Sequence, residues 1–78
     1  MLKSEIVGSV IQKFREQQGL SQEVASGLAG IGRTHLSAIE RGERKPTLET
    51  FFKLAYALNV RPSVLMAAIE SELESVEK

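Results

Sequence analysis

The chain has 78 residues, enough for one domain, with ten Lys or Arg against ten acidic residues, one histidine and no cysteine. Without cysteine there is no disulfide or thiolate ligand, and a lone histidine cannot form a zinc cluster, so no enzyme activity, metal or other cofactor is expected. The longest apolar run, Val64 to Ile69, is far below the roughly 20 residues that span a bilayer, and the N-terminus lacks a signal-peptide pattern; a cytoplasmic protein with no membrane partner is expected.

Taken in order, the chain reads as five helices with no strand, over about 4–18, 22–29, 33–41, 48–58 and 62–76. Ser4 is expected to cap the first, and Ile6, Val7, Val10, Ile11 and Phe14 form its core stripe. Gly8 inside it costs about 1 kcal/mol relative to alanine, which marks a place where another helix comes close. Gly19 ends it in a left-handed cap. Ser21 caps the second helix, with Glu23 in the first turn against the helix dipole. Val24 and Leu28 share one side of it, with the small Ala25 between them. Gly30 is the left-handed exit, Ile31 an apolar anchor in the turn, and Gly32 precedes the third helix, which Gly42 ends.

The third helix has an uneven surface. At about 100° per residue, Leu36, Ile39 and His35 share one arc, and Arg33, Thr34, Ser37, Ala38 and Arg41 occupy the opposite one. Two apolar residues hold such a helix down, while a short, hydrogen-bonding, cationic face looks outward. Arg is the usual reader of guanine, and Thr or Ala can touch a thymine methyl, so this face suits a DNA major groove. An ordinary amphipathic surface helix is the alternative on periodicity alone. His35, the only candidate base in the chain, is expected to be a semi-buried packing residue, since it has too few companions for acid–base chemistry.

Glu43-Arg44-Lys45-Pro46 then forms a polar loop. Thr47 caps the fourth helix, where Leu48, Phe51, Phe52, Ala55 and Leu58 give a broad apolar face, and Asn59 breaks it. Pro62 fits the first position of the fifth helix. There Met66, Ile69, Leu73 and Val76 recur at helix-seam spacing, which suggests a homodimer interface, with Leu65 and Ala68 left for the domain's own core. The alternative is that this helix folds back along the first and hides the stripe within one chain. A core this small supplies only about 3–5 kcal/mol, so dimerisation would help.

Leu20-Ser21-Gln22-Glu23, Ala25, Gly30-Ile31 and Ile39-Glu40-Arg41-Gly42, followed by Pro46-Thr47-Leu48, resemble the XRE-type helix-turn-helix family, the Cro and phage-repressor group. The resemblance runs from about Val10 to Leu65. The run Arg33-Thr34-His35-Leu36-Ser37, with the short chain, is similar to the small controller proteins of restriction–modification systems. Gly32 departs from the pattern, standing where the family usually has Ser or Thr. The resemblance implies a compact five-helix, all-α bundle of the phage-repressor-like type, with the second and third helices as the helix-turn-helix. It supports base reading by Arg33, Thr34, Ser37 and Ala38, and a backbone contact by Gln22. It also implies that Arg15 and Glu40 meet as a structural ion pair linking the first helix to the third. Arg41, Arg44 and Lys45 complete the expected phosphate clamp; Arg44 and Lys45 read equally as solvated loop charges.

Charge distribution fits this reading. Residues 1–46 carry seven Lys or Arg against five Glu, a net +2, and residues 47–78 carry three against five, a net −2. The cations therefore gather around the third helix, although a balanced total implies modest sequence-independent affinity. Two function classes follow: a transcriptional regulator that reads a near-palindromic operator in double-stranded DNA as a homodimer, nucleoid-associated when bound, or a helical protein-interaction module such as an antitoxin or adaptor. The outer face of the third helix offers no large apolar residue, which favours the regulator. The chain starts at a methionine and leaves no room for an effector domain, so a complete small repressor or activator without a small-molecule effector is expected.

Overall fold

Each helix is started and stopped by local chemistry. Among the described residues, 2–77 of this computed structural model without the Glu77 side chain, there are five helices and no strand: α1 (Ser4–Gln17), α2 (Gln22–Ala29), α3 (Arg33–Glu40), α4 (Leu48–Ala57) and α5 (Pro62–Glu77). The hydroxyls of Ser21 and Thr47 accept from the backbone N–H of Val24 and Thr50, three residues on, satisfying amides that the first helical turn leaves open. Ser4 does not cap α1. Lys3 holds the cap position without a side-chain bond, and its carbonyl accepts the first backbone bonds, from Ile6 and Val7.

The first four helices end alike. Gly19, Gly30, Gly42 and Asn59 all have φ between 60° and 78°, and the next residue donates its N–H five residues back: Leu20 to Arg15, Ile31 to Ser26, Glu43 to Ala38 and Val60 to Ala55, at 2.9–3.1 Å. This closes the carbonyls that a helix end leaves unpaired. Leu20, Ile31 and Val60 then pack against the core, which anchors each chain reversal.

The helices close a ring in the order α1, α3, α2, α4, α5 and back to α1. Inside it lie Val7, Val10 and Ile11 of α1, Ala25 and Ala29 of α2, Leu36 and Ile39 of α3, Phe51, Leu54, Ala55 and Leu58 around α4, and Leu65 and Ile69 of α5. On α2 the buried face is made of small residues, Ala25, Ser26 and Ala29, whereas Val24 and Leu28 stand exposed. Packing against both α3 and α4 leaves α2 little room for larger side chains. Leu48 and Phe52, expected in the apolar face of α4, are likewise exposed and form a row with Tyr56; the buried face of α4 is narrower and is made by Phe51, Leu54 and Ala55, with Leu58 just past the helix.

Gly8 shows how tightly α1 meets the end of α3. A Cβ there would lie 2.2 Å from the Ile39 carbonyl oxygen and 2.7 Å from that of Glu40. At Gly42 a Cβ would stand 2.8 Å from Glu5 Cα, on a backbone already at φ 78°. The two glycines bring α1 and α3 backbone to backbone and so fix the tilt of α3.

Candidate nucleic-acid interface

The turn between α2 and α3 is built from Gly30, Ile31 and Gly32. Gly30 carries the left-handed bend, half-buried Ile31 pins the turn to the core, and Gly32 opens α3 in extended backbone with no side-chain cap. Leu36 and Ile39 are fully buried and hold α3 by one side.

A polar cluster holds it by a second. Arg15 Nε donates to Glu40 Oε2 at 2.6 Å and Arg15 Nη2 to Glu40 Oε1 at 2.9 Å, in a two-pronged bond. Arg15 Nη1 also reaches the Leu20 carbonyl at 2.8 Å, and Gln22 Nε2 donates to Glu40 Oε1 at 2.9 Å. The Glu40 carboxylate thus ties the last residue of α3 to the end of α1 and the first residue of α2, and Arg15 adds the turn between those two helices. The bond to Glu40 raises the Arg15 pKa against the opposing effect of burial. Among the described residues no buried side-chain nitrogen or oxygen lacks a partner.

What remains outward on α3 is narrower than helical arithmetic suggests. Arg33 and Thr34 are exposed, Ser37 is half-buried and Arg41, just past the helix, is exposed. Ala38 is the exception among the expected base readers: at 8% exposure it belongs to the buried side. It lies about 40° past Thr34 on the helix wheel, where the surface already turns back toward the body. His35 is half-buried, as a packing residue would be.

The expected phosphate contacts divide into three kinds. Gln22 is half-buried and spends one amide N–H on Glu40. Arg44 and Lys45 are exposed, with no ion pair among the described residues. Arg41 is exposed but engaged: Nε donates to Glu43 Oε2 at 2.8 Å, Nη2 to Glu43 Oε1 at 3.0 Å, and Nη1 to Ser37 Oγ. The bond from Arg41 holds the Glu43 carboxyl below its ordinary pKa, and the same bond raises the pKa of Arg41. In the sequence Glu43 reads only as part of a polar loop, with nothing to mark it as the partner of Arg41.

The expected seam on α5 needs correction at its centre. Ile69 is 1% exposed and belongs to the chain's own core, because α5 packs along both α1 and α4. Leu73 is half-buried against the same core; Met66 and Val76 are exposed. Met66 borders an apolar groove that Leu2, Pro46, Leu48 and Phe51 also line.

Two short helices at a glycine-bent turn, the second locked on one side and polar and cationic on the other, define a helix-turn-helix protein. The chain belongs to the XRE-type helix-turn-helix family, whose model matches residues 11–65. It is 42% identical over 55 residues to the uncharacterized HTH-type transcriptional regulator y4dJ of Sinorhizobium fredii, covering 70% of this chain and 71% of that protein. It is 40% identical over 55 residues to the control protein C.SmaI of Serratia marcescens, covering 70% and 66%. Among solved structures it is similar to the restriction-modification controller protein C.AhdI from Aeromonas hydrophila, with a TM-score of 0.79 and 34% identity over 83% of this chain and 98% of that one. The protein is a transcriptional regulator of the helix-turn-helix class. No helix among the described residues is long and apolar enough to cross a membrane.

Proposed function

We propose that the protein binds double-stranded DNA as a homodimer and reads a near-palindromic operator with α3 in the major groove. The observation that carries this is the two-sidedness of α3: Leu36, Ile39 and Glu40 lock it to the body, while Arg33 and Thr34 at its N-terminal half stand free beside Ser37. A reading helix presents its N-terminal residues to base edges, so Arg33 and Thr34 are the base contacts and Ser37 sits at their flank. Gln22 contacts a phosphate while its other amide hydrogen stays on Glu40, and Arg41, Arg44 and Lys45 extend the clamp. Similarity to proteins named as regulators and controllers supports the same reading.

The dimer uses the exposed part of α5. Met66 and Val76, with Leu73 at their edge and Leu48 beside Met66, form an apolar surface that a second copy would cover; Ile69 has no part in it. A two-fold pair places its reading helices about 34 Å apart, one turn of DNA. Selection of bound sites from random duplex DNA tests the whole reading: enriched sequences should contain two inverted half-sites with centres one turn apart. Met66→Glu should sediment as a monomer at micromolar concentration with its helical content intact, and should lose operator binding. Unchanged sedimentation would remove Met66 from the interface.

A second reading, a protein-interaction module, is favoured by one observation. Leu28 and Tyr56 are exposed together beside Gly27, Gly30 and Lys53, on a surface that α3 does not need. It is compatible with DNA binding; Leu28→Glu would leave DNA affinity unchanged while removing a protein partner of that face.

A further inference from the structure

At three of the four left-handed helix ends the residue after the bend is apolar and folds into the core: Leu20, Ile31 and Val60. After Gly42 that residue is Glu43. Its backbone makes the same bond as the others, to the Ala38 carbonyl at 2.9 Å, but its side chain is exposed and grips Arg41. The grip is specific in shape. Both carboxylate oxygens lie on the edge of the guanidinium formed by Nε and Nη2, at 2.8 and 3.0 Å, and Ser37 Oγ accepts from Nη1. A DNA phosphate binds an arginine by the same two-pronged fork. A carboxylate therefore fills the phosphate-gripping edge of a cation at the end of the reading helix.

We propose that Glu43 is an internal stand-in for a DNA phosphate, competing for Arg41 and thereby lowering affinity for every duplex alike without changing the sequence preferred. This rests on the reading of α3 as the DNA-reading helix. On binding, Arg41 exchanges the Glu43 carboxylate for a backbone phosphate. The released carboxylate then lies against a polyanion and retains a cation that would otherwise be set free. Both side chains are in solvent, so the pair opens at small cost. Removing one carboxylate matters on this face, because the chain as a whole has zero formal net charge. Arg44 and Lys45, next along the chain, have no such partner among the described residues and meet phosphates without an exchange.

The test is fluorescence anisotropy of wild type, Glu43→Gln, Arg41→Ala and the double variant, on the selected operator and on a scrambled duplex, across a salt series. Glu43→Gln should bind both duplexes about two- to fivefold more tightly. Its slope of log affinity against log salt should steepen by up to about 0.9, with the ratio between the two duplexes unchanged. In the Arg41→Ala background the same substitution should change affinity by less than about 1.5-fold, since a general charge effect is all that is left. Weaker or unchanged binding by Glu43→Gln overturns the proposal, and so does an equal gain with and without Arg41. If the wild type binds duplex DNA, those results leave the reading of α3 standing; a wild type that binds no duplex overturns that reading and this proposal together.

Discussion

Two Arg–Glu pairs bracket α3, and they share a geometry but not a task. In both, Nε and Nη2 of the arginine hold the two oxygens of one carboxylate. Arg15–Glu40 has side chains 11% and 2% exposed and joins residues 25 apart; Arg41–Glu43 has side chains 53% and 59% exposed and joins residues two apart. Burial makes the difference. A buried pair cannot lose one member without stranding a charge in a poor dielectric, so it works as a fixed joint. A solvated pair contributes little to the fold and can exchange partners, so it is free to act in binding.

Breaking the buried joint should have the largest effect. Glu40→Ala leaves Arg15 and Gln22 without their acceptor and should cost about 3–5 kcal/mol, comparable with the whole stability of a domain this size. Urea or thermal unfolding followed by circular dichroism should show a much lower midpoint, or little folded protein at 25 °C. Glu43→Gln should leave the midpoint in place. Equal midpoints for the two variants would erase the distinction. A double-mutant cycle on Arg15 and Glu40 should show strong coupling, and additive costs would contradict the joint.

A pair of glycines sharpens the same contrast at smaller scale. Gly8→Ala puts a methyl group against the Ile39 carbonyl, where backbone must move, and should cost about 1–3 kcal/mol. Gly27 lies inside α2 with nothing within 4 Å of an added Cβ, so Gly27→Ala should raise stability, by up to about 1 kcal/mol from helix propensity alone. The same unfolding curves check both signs, and a destabilised Gly27→Ala would show that α2 is held by something other than its small buried face.

Much of the fold is legible in the sequence, because the helix ends are written in local chemistry. Ser21, Thr47, Gly30, Gly42 and Pro62 each act on backbone within a few residues, and periodicity marks the α1 stripe. Tertiary choices are less legible. A wheel treats the largest apolar side chains as the buried ones, yet close packing on α2 selects Ala25, Ser26 and Ala29 and turns Val24 and Leu28 outward. The seam spacing at Ile69 is the same whether the covering helix belongs to this chain or to a copy, and here α1 and α4 cover it. The Arg41–Glu43 pair was invisible for another reason. Residues two apart do not face each other on a helix, and it is the left-handed bend at Gly42 that brings these two together.

The central claim is that the outer face of α3 reads duplex DNA, and Arg33 tests it most directly. The measurement is the affinity of wild type and Arg33→Ala for the selected operator and for a set of operators changed one base pair at a time. A base-reading Arg33 predicts a loss of about 1–3 kcal/mol on the operator, with discrimination relaxed at one base pair of each half-site. A variant that weakens on all operators by the same factor, with its order of preference intact, would contradict the claim and leave Arg33 a phosphate contact.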